Sequence, residues 1–411
     1  MKRYLLLIPG LVMALAPLST VNSAPLSSVE QWVEQAVQAN ATLSAQRESI
    51  GAAKAVQDGA GTWEDPILKY RVAPQTLAGP NTVGHRFDIS QKLPWPDQLS
   101  ASEDAASARV TAARHDTRWQ QRQLIANVKV AYGQWWYINQ ALGLHRETRA
   151  LLDKLATITE QRLAYGYGAQ SQTFRIETEL DTLDAQLVEL EAEQSTLSGS
   201  LIPLLGNAPG KTDVLLNLPS RAVQQQYQPG AREHPFVASA LAREKAARAD
   251  LEQAEVSRRP TFTANVGYNS LRADENKRWV VGVGVQIPFS GQRQDSAVRQ
   301  ATATLAQDQW RTVQRQREWQ AALTEFTATI RAGYQRLDIL KNRHLPHQNA
   351  EWEAILNELA SGTARLEDAI ESALRLTQLK LTQARVRRGL YSAIAQYQAW
   401  LNDPTIQYSL E

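Results

Sequence analysis

The chain contains 411 residues, with 44 lysines and arginines, 42 aspartates and glutamates, and no cysteine. The balanced charge, a formal net +2, and the absence of any basic run argue against a nucleic-acid-binding protein. The lack of cysteine excludes disulfide bonds, thiol chemistry and a lipid anchor on a processed N-terminal cysteine.

Residues 1–23 have the pattern of a secretory signal peptide. Lys2 and Arg3 precede an apolar run over residues 5–18, and suitable small residues precede a cleavage point after Ser23. An uncleaved transmembrane helix is the alternative, but the run is short for a bilayer and is interrupted by proline and glycine. No later apolar stretch approaches the roughly 18 residues of a spanning helix. We therefore predict a cleaved signal and an exported chain.

The rest of the chain repeats itself at a constant offset of 194 residues. Residues 40–168 align with residues 234–362 without a gap, and prolines and glycines recur at the predicted breaks, as Pro94 does at Pro288. A repeat of this length indicates a duplicated supersecondary unit. The predicted division is a first structural repeat at 24–205, a connecting segment at 206–231, a second structural repeat at 232–401 and a C-terminal tail at 402–411.

Each repeat is predicted to hold a helix, two strands, a very long helix and a returning helix, in that order. In the first repeat they lie at residues 27–59, 66–74, 83–93, 97–163 and 171–205. In the second they lie at residues 232–257, 260–271, 279–287, 291–358 and 363–400. Each long helix would extend on the order of 100 Å at 1.5 Å per residue, which is not a globular dimension. A soluble coiled-coil scaffold would also have such helices, but it would need neither a signal peptide nor the strands.

The predicted strands alternate between apolar and polar residues. In the fourth strand the apolar face carries Trp279, Val281, Val283, Val285 and Ile287. Strands of about 9–11 residues with this pattern can cross a bilayer in a barrel, and an ordinary soluble sheet with one wet face is the alternative. Four strands cannot close a barrel, because about eight or more are needed and an open edge in lipid leaves backbone groups unpaired. The strands must therefore be shared between copies of the chain.

Glycines and prolines mark the predicted reversals and junctions. The hairpin tips between each long helix and its returning helix are predicted at three glycines: Gly166 and Gly168 in the first tip, and Gly362 in the second tip. The junctions between strands and long helices are predicted at three prolines: Pro94, Pro96 and Pro288. Strands would therefore lie at one end of a helical tube and hairpin tips at the other.

Three segments carry a family pattern. They read Ser-Gln-Lys-Leu-Pro-Trp-Pro at 90–96, Ile-Pro-Phe-Ser-Gly-Gln-Arg at 287–293 and Gly-Thr-Ala-Arg-Leu-Glu-Asp-Ala-Ile-Glu at 362–371. With the duplicated element order, they resemble the outer membrane efflux protein family, the TolC-like trimeric channels, over essentially the whole chain after the signal. The Leu-Pro-Trp-Pro form is most similar to the heavy-metal-efflux, CzcC-like branch. That branch usually continues with glycine and a basic residue, where this chain has Asp97-Gln98-Leu99.

The resemblance implies an α+β membrane protein that acts as a homotrimer. Its 12-stranded β-barrel, with four strands per chain, would lie in the lipid of the bacterial outer membrane, and a long α-helical coiled-coil barrel would cross the periplasm. The implied role is the passive exit duct of a tripartite efflux system, supplied by an inner-membrane pump through a periplasmic adaptor (membrane fusion) protein. The CzcC-like branch implies heavy-metal cation efflux of the resistance-nodulation-division type. A TolC-like channel for drug efflux or type I protein secretion is the alternative.

The resemblance also implies a pore constriction near the second tip. Asp368 and Glu371 match the family's acidic positions, and three copies of each would form rings whose field favours cations. The alternative is that these acids, together with Glu367, complement the N-terminus of a helix. In relatives a salt bridge at the tips often acts as a latch that closes the channel. Either Arg175 or Arg365 could take this role here.

No catalytic or cofactor-binding pattern is found in the sequence. There is no glycine-rich phosphate loop, no Gly-x-Ser-x-Gly elbow and no two-histidine zinc motif on a helix. His344 and His347 have a spacing that a metal ion could use, but Pro346 lies between them and a capping or solvated role is favoured. We therefore predict no enzymatic activity, no cofactor, no metal site and no nucleic-acid partner.

Overall fold

The computed structural model describes eight stretches of the chain: residues 28–73, 83–166, 169–209, 216–218, 231–272, 274–288, 291–361 and 363–401. The predicted signal peptide, the predicted tail and most of the connecting segment lie outside these residues. Gly168 and Gly362, at the predicted tips, also lie outside them.

The first half of the chain folds into helices on either side of a strand pair. Its elements are α1 Val29–Ala39, α2 Ala41–Ala60, β1 Ile67–Ala73, β2 Gly84–Leu93, α3 Pro96–Ala164 and α4 Gln170–Leu205. The prediction of one continuous helix at 27–59 is wrong, because Asn40 leaves the helical conformation with φ −72° and ψ 114°. Asn40 caps α2 instead, since its Oδ1 accepts a hydrogen bond from the backbone N–H of Leu43 at 3.0 Å.

The second half repeats this order. Its elements are a 3₁₀ turn Ala231–Glu233, α5 Pro235–Val256, β3 Thr261–Asn269, a 3₁₀ turn Glu275–Lys277, β4 Trp279–Gln286, α6 Gln292–Ile339, α7 Leu345–Ser361 and α8 Leu366–Trp400. The predicted long helix at 291–358 is not uniform, because a π-helical turn, Leu340–His344, separates α6 from α7. Such a turn makes i→i+5 hydrogen bonds and locally widens the helix.

The duplication extends to the capping of equivalent helices. Asn40 and His234, separated by 194 residues, are the N-caps of α2 and α5. The Asn40 amide donates to Pro203 O at 3.2 Å, and His234 Nε2 bonds to Ala399 O at 3.1 Å. In both repeats the N-cap therefore joins the start of one helix to the end of the returning helix.

The four strands form one antiparallel sheet in the order β1-β2-β3-β4. The register pairs Leu68 with Ile89, Ile89 with Val266, and Val266 with Val281, so the apolar positions of all four strands fall on one face. This face is largely open, with Leu68 68% and Val281 79% exposed. The strand alternation seen in the sequence is thus a real division into an apolar and a polar face.

The helices next to the strands form a row. α2 packs on α3, α3 on α5, and α5 on α6, while α4 and α8 pack along α3 and α8 also contacts α6. The main core joins α1 to α3, where the rings of Trp32 and Tyr132 meet edge to face at 5.3 Å. A contact of this kind contributes about 0.5–1.5 kcal/mol beyond burial of the ring area. Within the described ranges, no helix is long and apolar enough to cross a membrane.

Candidate functional site

The second tip places Asp368 in the first turn of α8, where it acts as a capping residue. The backbone N–H of Arg365 donates to Asp368 Oδ2 at 3.3 Å, and Arg365 Nη2 lies 2.9 Å from Asp368 Oδ1. The Arg365 guanidinium holds the pKa of the Asp368 carboxyl below its usual range. Asp368 therefore has an arginine partner within its own chain.

Glu371 belongs to a second charged group one turn further along α8. Arg375 Nη2 contacts Glu371 Oε1 at 2.6 Å, and Arg375 Nη1 lies 3.4 Å from Glu351 Oε1 on α7. Gln348 donates to the other oxygen of Glu351 at 2.9 Å. These contacts connect the two arms of the second hairpin, beside a cavity of about 690 Å³ lined by His344 of the π-helical turn and by residues of α7 and α8.

Each of the two predicted constriction acids is thus paired with an arginine. The side chains stay accessible, with Asp368 38% and Glu371 65% exposed. Neither Arg375 nor Glu351 was predicted from the sequence as a partner in this charged group. The i,i+4 spacing of Glu371 and Arg375 could have indicated the first of these contacts, because such residues are neighbours on a helix surface.

The two hairpins are joined close to their tips. An apolar cluster contains residues from both, namely Leu152, Leu155, Ile176, Leu183, Leu366 and Ile370. Gln172 Nε2 also donates to Glu367 Oε1 at 3.4 Å. At the first tip, Gly166 has φ +79°, a left-handed conformation that glycine adopts without steric cost. The tips therefore form one connected end of the protomer.

The prolines predicted at the junctions lie between strands and long helices. Pro94 follows β2, Pro96 is the first residue of α3, and Pro288 follows β4 shortly before α6. Trp95, between the first two, donates from its indole N–H to Pro260 O at 2.9 Å. Arg259 lies over the same indole, with its guanidinium carbon 5.6 Å from the ring centre. These contacts attach the start of α3 to the start of β3.

Charged side chains form ion pairs on the polar face of the sheet. Asp88 forms ion pairs with Arg71 and with Arg86, the second at 3.0 Å. On the apolar face, His85 Nδ1 bonds to the Tyr70 hydroxyl at 2.8 Å. A polar residue on the apolar face is therefore provided with a partner on the neighbouring strand.

His344 and His347 lie near the end of the π-helical turn. His344 is its last residue, and His347 is exposed in the first turn of α7. Among the residues that the structure describes, no three histidine, cysteine, aspartate or glutamate side chains form a cluster suited to a metal ion.

Sequence comparison finds one curated relative. No protein-family model matches the chain. The outer membrane efflux protein BepC of Brucella suis biovar 1 (strain 1330) is 22% identical over 296 residues, which cover 70% of this chain and 62% of BepC. The chain therefore spans less than two thirds of the length of this relative.

Solved structures match over most of the chain. The outer-membrane channel OprN is 20% identical with a TM-score of 0.77, and the match covers 90% of this chain and 89% of OprN. CusC, a protein that forms a transmembrane channel, is 15% identical with a TM-score of 0.78. The match covers 93% of this chain and 95% of CusC.

The matches to solved structures show which class of fold the chain has. The chain has the fold of a protomer of the TolC-like outer-membrane channels. The resemblance to outer membrane efflux proteins is thereby confirmed, whereas the heavy-metal, CzcC-like branch stays a prediction. The relatives are efflux proteins and channels, in line with the prediction that the chain is not an enzyme.

Proposed function

We propose that this chain is the outer-membrane channel of a tripartite efflux system. Three copies form the channel, which receives substrate from an inner-membrane pump through a periplasmic adaptor and releases it outside the cell. The observation that carries the proposal is the match to OprN and CusC over about nine tenths of the chain. The channel performs no chemistry and acts as a passive duct.

The sheet supports residence in a membrane. Its apolar face exposes large side chains on all four strands, including Leu68, Ile89, Val266 and Val281. Among the residues that the structure describes, its first and last strands, β1 and β4, each have one neighbouring strand. Lipid would cover the apolar face, and copies of the chain would have to pair the free edges, because unpaired backbone groups are costly in hydrocarbon.

We place the periplasmic end of the duct at the two hairpin tips, with Asp368 and Glu371 at its constriction. The arginine partners of these residues modify the expected field, because Arg365 and Arg375 balance the two carboxylates within each chain. The constriction then carries mixed charge. Its selectivity depends on both signs of charge, and disruption of either pair changes it.

We propose heavy-metal cations as the substrate, because the Leu-Pro-Trp-Pro segment at 93–96 is most similar to the metal-efflux branch. Deletion of the gene from the bacterium that carries it should lower tolerance of divalent heavy-metal ions several-fold and raise cell-associated metal. The measurement is growth inhibition together with cellular metal content. Reintroduction of the wild-type gene should restore both values, and an empty vector should not.

The same deletion strain distinguishes the alternative substrates. Lower tolerance of organic drugs with unchanged metal tolerance would replace the metal assignment with drug efflux. Loss of a secreted protein would replace it with type I secretion. An unchanged response to metals and drugs, with unchanged secretion, would contradict the efflux proposal itself.

A further inference from the structure

Charge is distributed unevenly over the polar face of the sheet. Strand alternation places five charged side chains on this face: Lys69, Arg71, Arg86, Asp88 and Lys92. All five belong to β1 and β2, whereas β3 and β4 contain no charged residue. Four positive groups and one negative group therefore project from the same side of one strand pair.

One carboxylate lies among three of these positive groups. The register sets Arg71 directly opposite Arg86 and Lys69 directly opposite Asp88. Asp88 forms ion pairs with both arginines, the one with Arg86 at 3.0 Å. Like charges directly opposite each other on neighbouring strands are unfavourable, and a single carboxylate cannot balance two guanidinium groups and an ammonium group. The cluster therefore keeps positive charge in excess.

The positive groups are also the accessible ones. The side chains of Arg71 and Arg86 are 58% and 51% exposed, whereas that of Asp88 is 18% exposed. The fourth cation, Lys92, is paired at 2.7 Å with Glu64, which precedes β1. Four cations thus stand against two carboxylates, which leaves two positive charges per chain without a counter-charge on this face. A solute that approaches the face meets guanidinium and ammonium groups first.

The second repeat shows that the sheet does not need these charges. At the offset of 194 residues, Lys69 corresponds to Thr263 and Arg71 to Asn265. Both counterparts lie in β3, on the polar face of the same sheet. Ion pairs between exposed side chains also contribute little to stability. Stability of the sheet therefore does not explain the excess charge.

We propose that the polar face of β1 and β2 is an anion-selective segment of the duct. The inference rests on the proposed channel assembly, in which lipid covers the apolar face and the polar face lines the water-filled interior. Three copies bring two uncompensated positive charges each to one level of the opening. Rings of arginine and lysine side chains favour anions in pores. The solutes favoured here carry carboxylate or phosphate groups, which guanidinium binds through paired hydrogen bonds.

This surface bears on the form in which a substrate leaves. The excess positive charge repels a free divalent cation and attracts an anionic complex of the same metal. The heavy-metal substrate proposed above therefore passes this segment more readily when it is bound by anionic ligands.

The width of the opening makes the effect dependent on salt. Twelve strands spaced about 4.7–4.9 Å apart and tilted by about 40° enclose a cylinder on the order of 20–25 Å across. The Debye length is about 30 Å at 0.01 M salt and about 3 Å at 1 M. The field of the cations therefore extends across the opening at low salt and is screened at high salt.

Cysteine labelling measures the local potential directly, because the chain has no native cysteine. Ser90 lies on the polar face, so Ser90→Cys places a thiol there and leaves every charge in place. The probes are two thiosulfonate reagents of similar size, one with a sulfonate and one with a trimethylammonium group, and each rate is divided by the rate with a small free thiol. The anionic probe should react about three times faster or more at 0.01 M salt, and the preference should disappear at 1 M. Asn265→Cys, directly opposite on β3, is a second reporter.

Charge variants in the Ser90→Cys protein identify the source of the potential. Lys69→Thr with Arg71→Asn introduces the residues of the second repeat and leaves Arg86–Asp88 and Lys92–Glu64 as balanced pairs, so the preference should fall to about one. The matched control, Lys69→Arg with Arg71→Lys, keeps both charges and should keep the preference. Asp88→Asn should increase it, because it removes the carboxylate that the two arginines share.

The apolar face supplies the control for the channel itself. Ile89→Cys, next to Ser90 but on the apolar face, should react with neither reagent in membranes, because lipid covers it. If Ile89→Cys is labelled as readily as Ser90→Cys, or if the wild-type protein is monomeric in membranes, the channel proposal and this inference are both wrong. In a trimeric protein that passes this control, equal relative rates of the two reagents at low salt would overturn the inference alone. So would loss of the preference in the charge-conserving control.

Discussion

The double substitution Asp368→Asn, Glu371→Gln is expected to shift ion selectivity of the assembled channel toward anions. It removes both carboxylates but leaves Arg365 and Arg375, their partners at 2.9 Å and 2.6 Å, in place. If three copies line a narrow mouth, the potential there becomes less negative, while Glu351 and Glu367 still offset part of the arginine charge. We expect the cation-to-anion permeability ratio to fall by a factor of about three or more. Reversal potentials in a planar bilayer under a salt gradient measure this ratio.

The reciprocal variant is the matched control for pore charge. Arg365→Gln with Arg375→Gln leaves the carboxylates unpaired, so selectivity should move toward cations and divalent cations should block the current more strongly. Both variants retain side chains of similar size, and trimer formation should be unchanged. If neither variant alters selectivity or block, these residues act only at the start of α8, as helix-capping and surface groups.

Replacement of His234 by asparagine is expected to make folding less sensitive to acid. His234 is fully buried, and its neutral form bonds at both nitrogens, with Nδ1 accepting from the Phe236 N–H at 3.3 Å and Nε2 bonded to Ala399 O. Burial is the main cause that lowers the pKa of His234 to about 4, and the nearby Arg122 lowers it further. Protonation would place a second N–H against the Phe236 N–H and a charge among aromatic rings.

The sign of the effect follows from the lowered pKa. An unfolded histidine has a pKa near 6.5, so the unfolded chain binds more protons than the folded chain between about pH 6.5 and pH 4. The stabilisation from neutral His234 is complete above this window and is lost as the pH falls through it, by up to about 3 kcal/mol per protomer. Thermal unfolding followed by circular dichroism from pH 4 to 8 measures this loss.

Asparagine is the informative substitution because the other repeat already uses it. Asn40 makes the equivalent cap and the equivalent link to the returning helix. His234→Asn should lower stability at neutral pH, since it leaves space among Trp119, Trp319 and Trp400, but stability should fall less steeply with acid. His347→Asn, at an exposed position, is the matched control and should behave like the wild type. Equal acid dependence of His234→Asn and the wild type would contradict this role.

The strands could be predicted closely because two independent signals agreed. Period-two alternation gave the faces, and the offset of 194 residues placed β3 and β4 from β1 and β2. The same offset aligns Asn40-Ala41 with His234-Pro235, where the proline favours the start of a helix, but the prediction of one helix over 27–59 did not use this signal. An asparagine can cap a helix or lie inside one, and the outcome here depends on Pro203 and Leu204, which lie far along the chain.

The site was predicted less completely because its contacts depend on side-chain conformations. The positions of Asp368 and Glu371 near the second tip followed from a motif, but the motif carries no information about their partners. Arg365 is not a residue type preferred at helix starts. Arg365 itself has an extended backbone, with φ −83° and ψ 151°, at the point where the chain enters α8. This conformation allows its side chain and its backbone N–H to reach Asp368. The link between Glu351 and Arg375 requires the two arms of the hairpin to be aligned, which no local pattern encodes.

The single-neighbour strands β1 and β4 have a consequence for biogenesis. A folded but solitary protomer presents two rows of unsatisfied backbone donors and acceptors beside a face of exposed valines and aromatic rings. Such an edge recruits any available strand, so misassociation competes with correct ring closure from the moment the sheet forms. If the sheet is completed late, at the membrane and together with the other copies, this association-prone intermediate exists only briefly. The helical part, which has its own aromatic core, can be ordered before that step.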